Sequence, residues 1–365
     1  MLGRLAPDAV GAAAANVFDA VFRGGLADLR RMPATLLDHG PQRSLYRYHP
    51  LESAPRARNG LPVLLVPPLA APALCFDLRR GCSLAEHLLQ GGRATYLVDY
   101  GDIEFADRDL GLEHWFEEVI PESVRRVSED AGGRPVQIVG WCLGGILAML
   151  AAAADRSLPI ASITLVASPF DFSKVPLVAP LRPIGAVTGG RVVTSLYRLL
   201  GGAPAPLVRA GYQLAGLDKY LMKPVTVATS LHDRELLAQI EAVDRFMANM
   251  HAYPGRTFGQ LYHRFFRVND LANGQLASRD GVVRIDRVAV PVLAIAGEGD
   301  GIAPVRACHH IGDLLDGVRL ETAPGGHLGV LTGRAARRTT WKLIDGFLDE
   351  HVAKPPARPR ARRAA

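Results

Sequence analysis

A cysteine, an aspartate and a histidine met in that order along a chain can carry acyl transfer. The sulfur attacks a carbonyl carbon, the imidazole moves the proton, and the carboxylate orients the imidazole. The candidate nucleophile is Cys142, in Gly140-Trp141-Cys142-Leu143-Gly144-Gly145. The preceding Val136-Gln137-Ile138-Val139 reads as a short buried strand, and Ile146 to Leu150 as a helix behind small residues. This is the strand–turn–helix setting of a nucleophile elbow, with cysteine where G-x-S-x-G carries serine. Such a turn strains the nucleophile's backbone and leaves no room for side chains beside it, which is why Gly140, Gly144 and Gly145 flank it. The helix aims its free N–H groups at Cys142, which favours thiolate over thiol. With 37 glycines and 4 cysteines among 365 residues, composition alone yields G-x-C-x-G roughly 0.04 times.

The partners must follow Cys142 and lie just beyond strands. Asp300 does so in Gly297-Glu298-Gly299-Asp300-Gly301-Ile302-Ala303-Pro304, and His327 in Pro324-Gly325-Gly326-His327-Leu328-Gly329. Glu298 competes with Asp300 for the acid's place. His309 and His310 come too soon after Asp300 and read as a helix face. His114, beside Trp115, reads as a surface residue at a helix start or as a residue lining a cap. An oxyanion hole would use the backbone N–H of Leu143 and a second N–H from the loop after Val63–Val66. Pro67 and Pro68 have none, so Leu69 offers the first; the two prolines equally suit a plain strand end.

The elements that would hold these residues alternate. Continuous apolar runs at Pro62–Val66, Ala94–Asp99, Val136–Val139, Ile160–Ala167 and Val290–Gly297 predict buried parallel strands, with a last strand over Val318–Thr322. Between them fall a helix capped by Ser83 with Glu86 as its capping-box partner, another over Trp115–Ser128, and a closing one over Arg338–Leu348. Ser44–Tyr48 and a turn at Pro55–Gly60 predict a hairpin edge. The rhythm implies right-handed βαβ units and a mostly parallel sheet flanked by helices. It breaks over about 172–258, a Pro-, Gly- and Leu-bearing stretch assigned to an inserted, mainly helical cap. Residues 1–40 read as a helical appendage, with Val17, Phe18, Val21 and Phe22 on one face.

Apolar residues at 48% and charged ones at 21% describe an ordinary folded domain. Most of the net charge of +6 comes from Lys354, Arg358, Arg360, Arg362 and Arg363 in the 351–365 tail, which reads as solvated and disordered. The body is nearly neutral, so no nucleic-acid partner is expected. Cys75, Cys82, Cys142 and Cys308 lack metal-ligand spacing and form no C-x-x-C. A Cys75–Cys82 bridge would need an oxidising compartment, and their default is buried thiols. No apolar run reaches transmembrane length, and Asp8 and Asp19 spoil a signal peptide. A cytoplasmic protein is expected.

Taken together, these motifs resemble those of the polyhydroxyalkanoate synthases. The Gly140–Gly145 box is joined by Val66-Pro67-Pro68, Phe76-Asp77-Leu78, Ser83-Leu84 and Tyr96-Leu97-Val98-Asp99-Tyr100-Gly101. Phe266-Arg267-Val268-Asn269-Asp270-Leu271, Asn273-Gly274, Asp300-Gly301-Ile302-Ala303-Pro304 and Gly325-Gly326-His327 complete the set. The likeness covers roughly 45–350, thinly through the cap, and is strongest to the smaller synthases that work with a second subunit. It implies an α/β-hydrolase fold over 41–350 and an acyltransferase that polymerises 3-hydroxyacyl-CoA. Cys142 would carry the acyl group, His327 would act as base and Asp300 as its support. The coenzyme A thioester is the substrate, and no cofactor or metal is implied. The implied partners are the growing polyester chain, a second synthase subunit or a homodimer partner, and a polyester-granule surface. Tyr100 stands where the family usually has tryptophan, Gly301 where a histidine often follows the aspartate, and Trp141 is bulky before the nucleophile. A hydrolase of thioesterase or depolymerase type would use the same three residues with water as acceptor. A non-catalytic binder of granule or lipid surfaces, using the N-terminal helix and basic tail, is the third reading.

Overall fold

The computed structural model describes residues 7–52, 60–176, 191–279 and 281–352. The turn expected at Pro55–Gly60 lies outside them except for Gly60, as does the basic tail beyond Val352. The main sheet has eight strands: β1 Ala34–Gly40, β2 Arg43–Tyr48, β3 Val63–Val66, β4 Thr95–Asp99, β5 Val136–Trp141, β6 Ile160–Val166, β7 Val292–Gly297 and β8 Arg319–Ala323. Their spatial order is β1-β2-β4-β3-β5-β6-β7-β8. From β4 to β8 every neighbouring pair is parallel, whereas β1 and β2 form an antiparallel edge. The helices used below are α1 Pro7–Phe22, α2 Leu84–Gln90, α3 Ile120–Asp130, α4 Leu143–Ala154, α5 Arg191–Leu200, α6 Ala205–Ala215, α7 Leu217–Thr229, α8 Arg234–Ala248 and α9 Thr340–Glu350.

The centre of the sheet follows from composition. β3 and β5 are buried at every position, as continuous apolar strands covered on both faces must be. α4 is buried from Leu143 through Ala153. Its glycines and alanines let it lie close to the sheet, while Ile146, Leu147 and Leu150 each contribute about 1.5–3 kcal/mol by leaving water. The one polar residue within β5, Gln137, donates from Nε2 to the Leu348 carbonyl at 2.8 Å. That bond ties α9 to the elbow strand.

Several expectations need correction. The helical appendage ends at Phe22, and β1 already belongs to the catalytic sheet, so the body begins at Ala34 rather than 41. The hairpin edge is β1–β2, turning through Gln42 at φ 47°; an isolated short strand with mixed exposure left little periodic signal. Ser83 does cap α2, accepting from Glu86 N–H at 3.0 Å, but the Glu86 carboxylate reaches Gly81 N–H at 2.9 Å instead of closing a capping box. The expected helix over Trp115–Ser128 is two pieces, a π-turn at His114–Val119 followed by α3.

The excursion from the sheet is mainly helical, as expected, through α5 to α8, but it continues past residue 258. A π-turn over Leu261–Val268 and a hairpin of Gln275–Ser278 with Gly281–Arg284 precede β7. Asn269 sits in the left-handed region at φ 61°. Its side chain donates to Asp171 Oδ1 at 2.8 Å and accepts from Phe172 N–H at 2.9 Å. The motif asparagine therefore fastens this excursion to the chain leaving β6. Burial works against the Asp171 charge, yet hydrogen bonds from Ser173, Asn269 and Lys174 hold its carboxyl well below the usual range. α1 packs on the cap: Asn16 Nδ2 donates to the Leu231 carbonyl at 2.8 Å, and Asp19 pairs with Arg234 at 2.6 Å. Val17, Phe18, Val21 and Phe22 of α1 remain exposed. No helix among the described residues is long and apolar enough to cross a membrane.

Candidate active site

Cys142 directly follows β5 and has φ 52° and ψ −123°, a conformation L-residues rarely adopt. Its own N–H is anchored on the Val166 carbonyl at 2.8 Å. The neighbours explain why the turn demands glycine. A Cβ at Gly144 would stand 2.2 Å from the Val66 carbonyl oxygen, and one at Gly140 2.5 Å from the Gly145 Cα. Backbone meets backbone here, and nothing flexible can yield. α4 begins at Leu143, so the helix's unpaired N–H groups point back at the sulfur.

Asp300 and His327 arrive on loops leaving β7 and β8, on the same carboxyl edge of the sheet. The two loops are laced together by Glu298 N–H to the Ala323 carbonyl (3.0 Å) and Gly299 N–H to the Gly325 carbonyl (2.9 Å). Gly325 holds φ 136°, where a Cβ would collide with Val330 N at 2.7 Å. Asp300 Oδ1 accepts two backbone N–H groups, from Ile302 and Ala303, each at 2.8 Å. That leaves Oδ2 to accept from His327 Nδ1 at 2.8 Å. The Asp300 carboxylate is fully buried.

With Nδ1 engaged on Asp300, Nε2 is the ring nitrogen left free, and the Cys142 sulfur is near enough for its charge to raise the imidazole. Burial disfavours a charged ring. The Cys142 charge, then the bond and charge of Asp300, overcome it and push His327 up to about 10. The structure thus pairs His327 with Asp300 on the sheet edge that also carries Cys142. Glu298 is exposed and takes no part. His309 is bound to the Glu321 carbonyl (3.0 Å), and His310 to Asp313 and the Ala272 carbonyl (2.9 and 3.0 Å). His114 corrects its reading as a surface residue: it is buried, with Nδ1 on Glu118 at 2.9 Å. Cys75, Cys82 and Cys308 are buried thiols pushed up by that burial, whereas Cys142 is only partly buried.

The N–H groups of Leu143 and Leu69 meet no acceptor among the described residues. The loop that carries Leu69 is held by Tyr100, whose hydroxyl donates to the Pro67 carbonyl at 3.0 Å. The space beside that loop, bounded by Tyr100, His251 and Pro254, is a crevice of about 10 Å³, room for one water.

Three side chains make contacts here that the sequence did not give. Trp141 donates from Nε1 to the His327 carbonyl at 3.2 Å, and its ring lies 5.1 Å from the imidazole. Tyr212 on α6 and Tyr253 reach in from the cap. Burial raises both phenols, and each also senses the Cys142 charge. Trp141 was visible as a bulky residue before the nucleophile, but the cap stretch has no periodic signal that singles out either tyrosine.

A mostly parallel sheet with a sharp strand–turn–helix elbow after β5, and the paired Asp300 and His327 after β7 and β8, has the form of an α/β-hydrolase fold. The esterase RhEst1 from Rhodococcus sp. ECU1013 shares that fold, with a TM-score of 0.52 at 15% identity over 88% of this chain and 100% of the esterase. Sequence similarity is more particular. The chain is 25% identical over 309 residues to the poly(3-hydroxyalkanoate) polymerase subunit PhaC of Allochromatium vinosum, covering 84% of this chain and 85% of that one. It is 22% identical over 302 residues to the PhaC subunit of Haloferax mediterranei, covering 82% of this chain but 61% of that longer relative. No family model matches the chain. It is a sequence relative of the PhaC polymerase subunits, on an α/β-hydrolase scaffold.

Proposed function

We propose that this chain is an acyltransferase that polymerises 3-hydroxyacyl-CoA into polyhydroxyalkanoate through an acyl-cysteine. The observation that carries the reading is Cys142 on the elbow with the His327–Asp300 pair acting on it. The similarity to PhaC subunits supports the substrate class.

The cycle starts as the Cys142 proton passes to the His327 imidazole, which Asp300 holds in place at 2.8 Å. The Cys142 sulfur forms a bond to the thioester carbon. The oxyanion is received by the Leu143 and Leu69 N–H groups, an arrangement worth about 3–4 kcal/mol per donor where such donors have been removed. The C–S bond to coenzyme A breaks, and the leaving thiolate takes the proton from His327. One thioester has replaced another, so acyl activation is kept; a serine ester would have lost it.

Acylation also removes the negative charge that held the proton on His327. The ring is now neutral and turns base. It takes the proton of the 3-hydroxyl of the incoming chain, whose oxygen attacks the acyl-cysteine. The C–S bond breaks, the ester forms, and thiolate and imidazolium are restored. Water would divert the same intermediate to free acid, so the burial of His327 and Asp300 favours transfer by excluding it. No cofactor enters this scheme.

The word subunit in the relatives' names supports a second chain as partner, and the exposed apolar face of α1 supports a granule surface as a further one. The test is incubation with 3-hydroxybutyryl-CoA, following thiol release and chloroform-extractable polyester, with an acyl adduct on the intact protein that is absent in Cys142→Ala. Thiol release with free 3-hydroxy acid as sole product would replace polymerase with hydrolase.

A further inference from the structure

A second concavity, of about 490 Å³, lies away from the cysteine, between α5 and the segment from Gly255 to Arg264. Arg108, Arg198, Arg256 and Arg264 line it, against a single carboxylate, Asp109. Arg108 approaches Asp109 at 3.7 Å, Arg256 pairs with Glu113 at 2.7 Å and Arg264 with Asp270 at 3.3 Å. Arg198 forms no ion pair or hydrogen bond among the described residues. His263, also in the wall, is bonded from Arg267 at Nδ1 (3.4 Å) and meets the Thr194 hydroxyl at Nε2 (3.0 Å). Accepting from a guanidinium requires a neutral ring, and burial, Arg267 and Arg198 accordingly lower its pKa. The cleft is therefore a cationic hollow with uncommitted donors, and the planar guanidinium fork suits phosphate oxygens.

Its position relative to Cys142 narrows the ligand. Tyr197 stands in the cleft wall, its ring 5.9 Å from Phe258, which is 6.1 Å from Tyr253. Tyr253, Phe258 and Cys142 pack against the same core cluster. Two ring-to-ring steps thus lead from the cleft wall to the packing around Cys142. A ligand engaging both ends must carry phosphates and an acyl carbon far apart on a slender, partly apolar arm. A free phosphate or an acyl phosphate is too short; a coenzyme A thioester has this construction.

We propose that the cleft holds the phosphorylated nucleotide end of the coenzyme A thioester through Arg198 and Arg264, with the pantetheine arm running along Tyr197, Phe258 and Tyr253 to Cys142. The assignment rests on the thioester reading above and adds to it where the carrier is gripped. It also separates recognition of the carrier from recognition of the acyl group, which must be read beside the cysteine.

The experiment compares the full chain with Arg198→Ala/Arg264→Ala, two exposed positions whose loss leaves no buried charge unpaired. Charge-assisted bonds to phosphate make the preference for 3-hydroxybutyryl-CoA over its pantetheine thioester, as a ratio of kcat/KM, fall about tenfold in the variant. Calorimetry with adenosine 3′,5′-bisphosphate gives saturable binding to the wild type that weakens at least as much in the variant. Binding of the bisphosphate without any thioester turnover would uphold the cleft and remove the polymerase reading. Turnover with an unchanged substrate preference would remove the cleft's assignment and leave the polymerase. Inorganic phosphate competing as well as the bisphosphate would overturn the nucleotide assignment in favour of a general anion site.

Discussion

Trp141 holds the backbone of His327: its indole N–H donates to that residue's carbonyl oxygen at 3.2 Å, from the position just before the nucleophile. The backbone of His327 is thereby tied to the residue next to Cys142. Trp141→Phe keeps an aromatic ring against Phe246, 6.1 Å away, but leaves the His327 carbonyl without its donor. The expected result is a loss of about 1–3 kcal/mol in stability and a fall in kcat of roughly tenfold with KM little changed. Steady-state kinetics with thiol detection measure it. Unaltered kcat would mean that the bond does not position the base.

The elbow's glycines make a prediction of opposite sign to a glycine elsewhere. At Gly144 an added methyl would stand 2.2 Å from the Val66 oxygen and 2.5 Å from that of Pro67. Those oxygens belong to the strand end and the loop carrying Leu69, so Gly144→Ala is expected to destabilise by about 3 kcal/mol through overpacking. Gly346, exposed on α9, has open space around it. There alanine should stabilise by about 0.5–1 kcal/mol, because it restricts the unfolded chain and favours the helix. Thermal melts of the two variants should move in opposite directions.

The sheet was legible because its strands carry a local signature, as does the turn at Cys142. Buried parallel strands are uninterrupted apolar runs, and the elbow is two glycines around a cysteine. Asp300 and His327 were singled out by chain order and by lying just beyond strands, and the structure pairs them. What escaped depends on contacts between residues distant in sequence. β1 is an edge strand with mixed exposure, so it resembled the helical stretch before it. Tyr212 and Tyr253 are ordinary cap residues until the chain folds back over Cys142. The role of Asn269 was hidden for a different reason: its motif was visible, but a motif does not say whether a residue reacts or fastens.

Asn269 illustrates the fastening case. It occupies φ 61° and bridges Asp171 and Phe172 at 2.8 and 2.9 Å. Asn269→Ala removes both bonds and places a residue poorly suited to the left-handed region there, so about 2–3 kcal/mol of stability should be lost. Asn269→Gly relieves the strain but not the missing bonds, and should lose less. Urea denaturation ranks the three proteins. An alanine variant as stable as the wild type would place the motif's importance elsewhere.

The strongest pH signature belongs to His327. Unfolded, its ring titrates near 6.5. Folded, burial opposes its charge, but Cys142 and Asp300 outweigh that and push it up to about 10. Between these values the His327 ring keeps in the folded chain a proton that it has released in the unfolded one, so the stability contributed by His327 falls as pH rises. The contribution is complete below about pH 6.5 and is gone once pH passes through about 10. Asp300→Asn removes one source of the upward push while keeping an oxygen for the Ile302 and Ala303 N–H groups. The wild type should therefore lose unfolding free energy more steeply across that window than Asp300→Asn, in urea melts at its two ends. The same variant should lower kcat by a factor on the order of 10³–10⁴, because an amide does not hold the imidazole in the tautomer the base requires. Equal slopes for the two proteins would mean that Asp300 does not charge His327, and the acid would then have to be sought among other carboxylates.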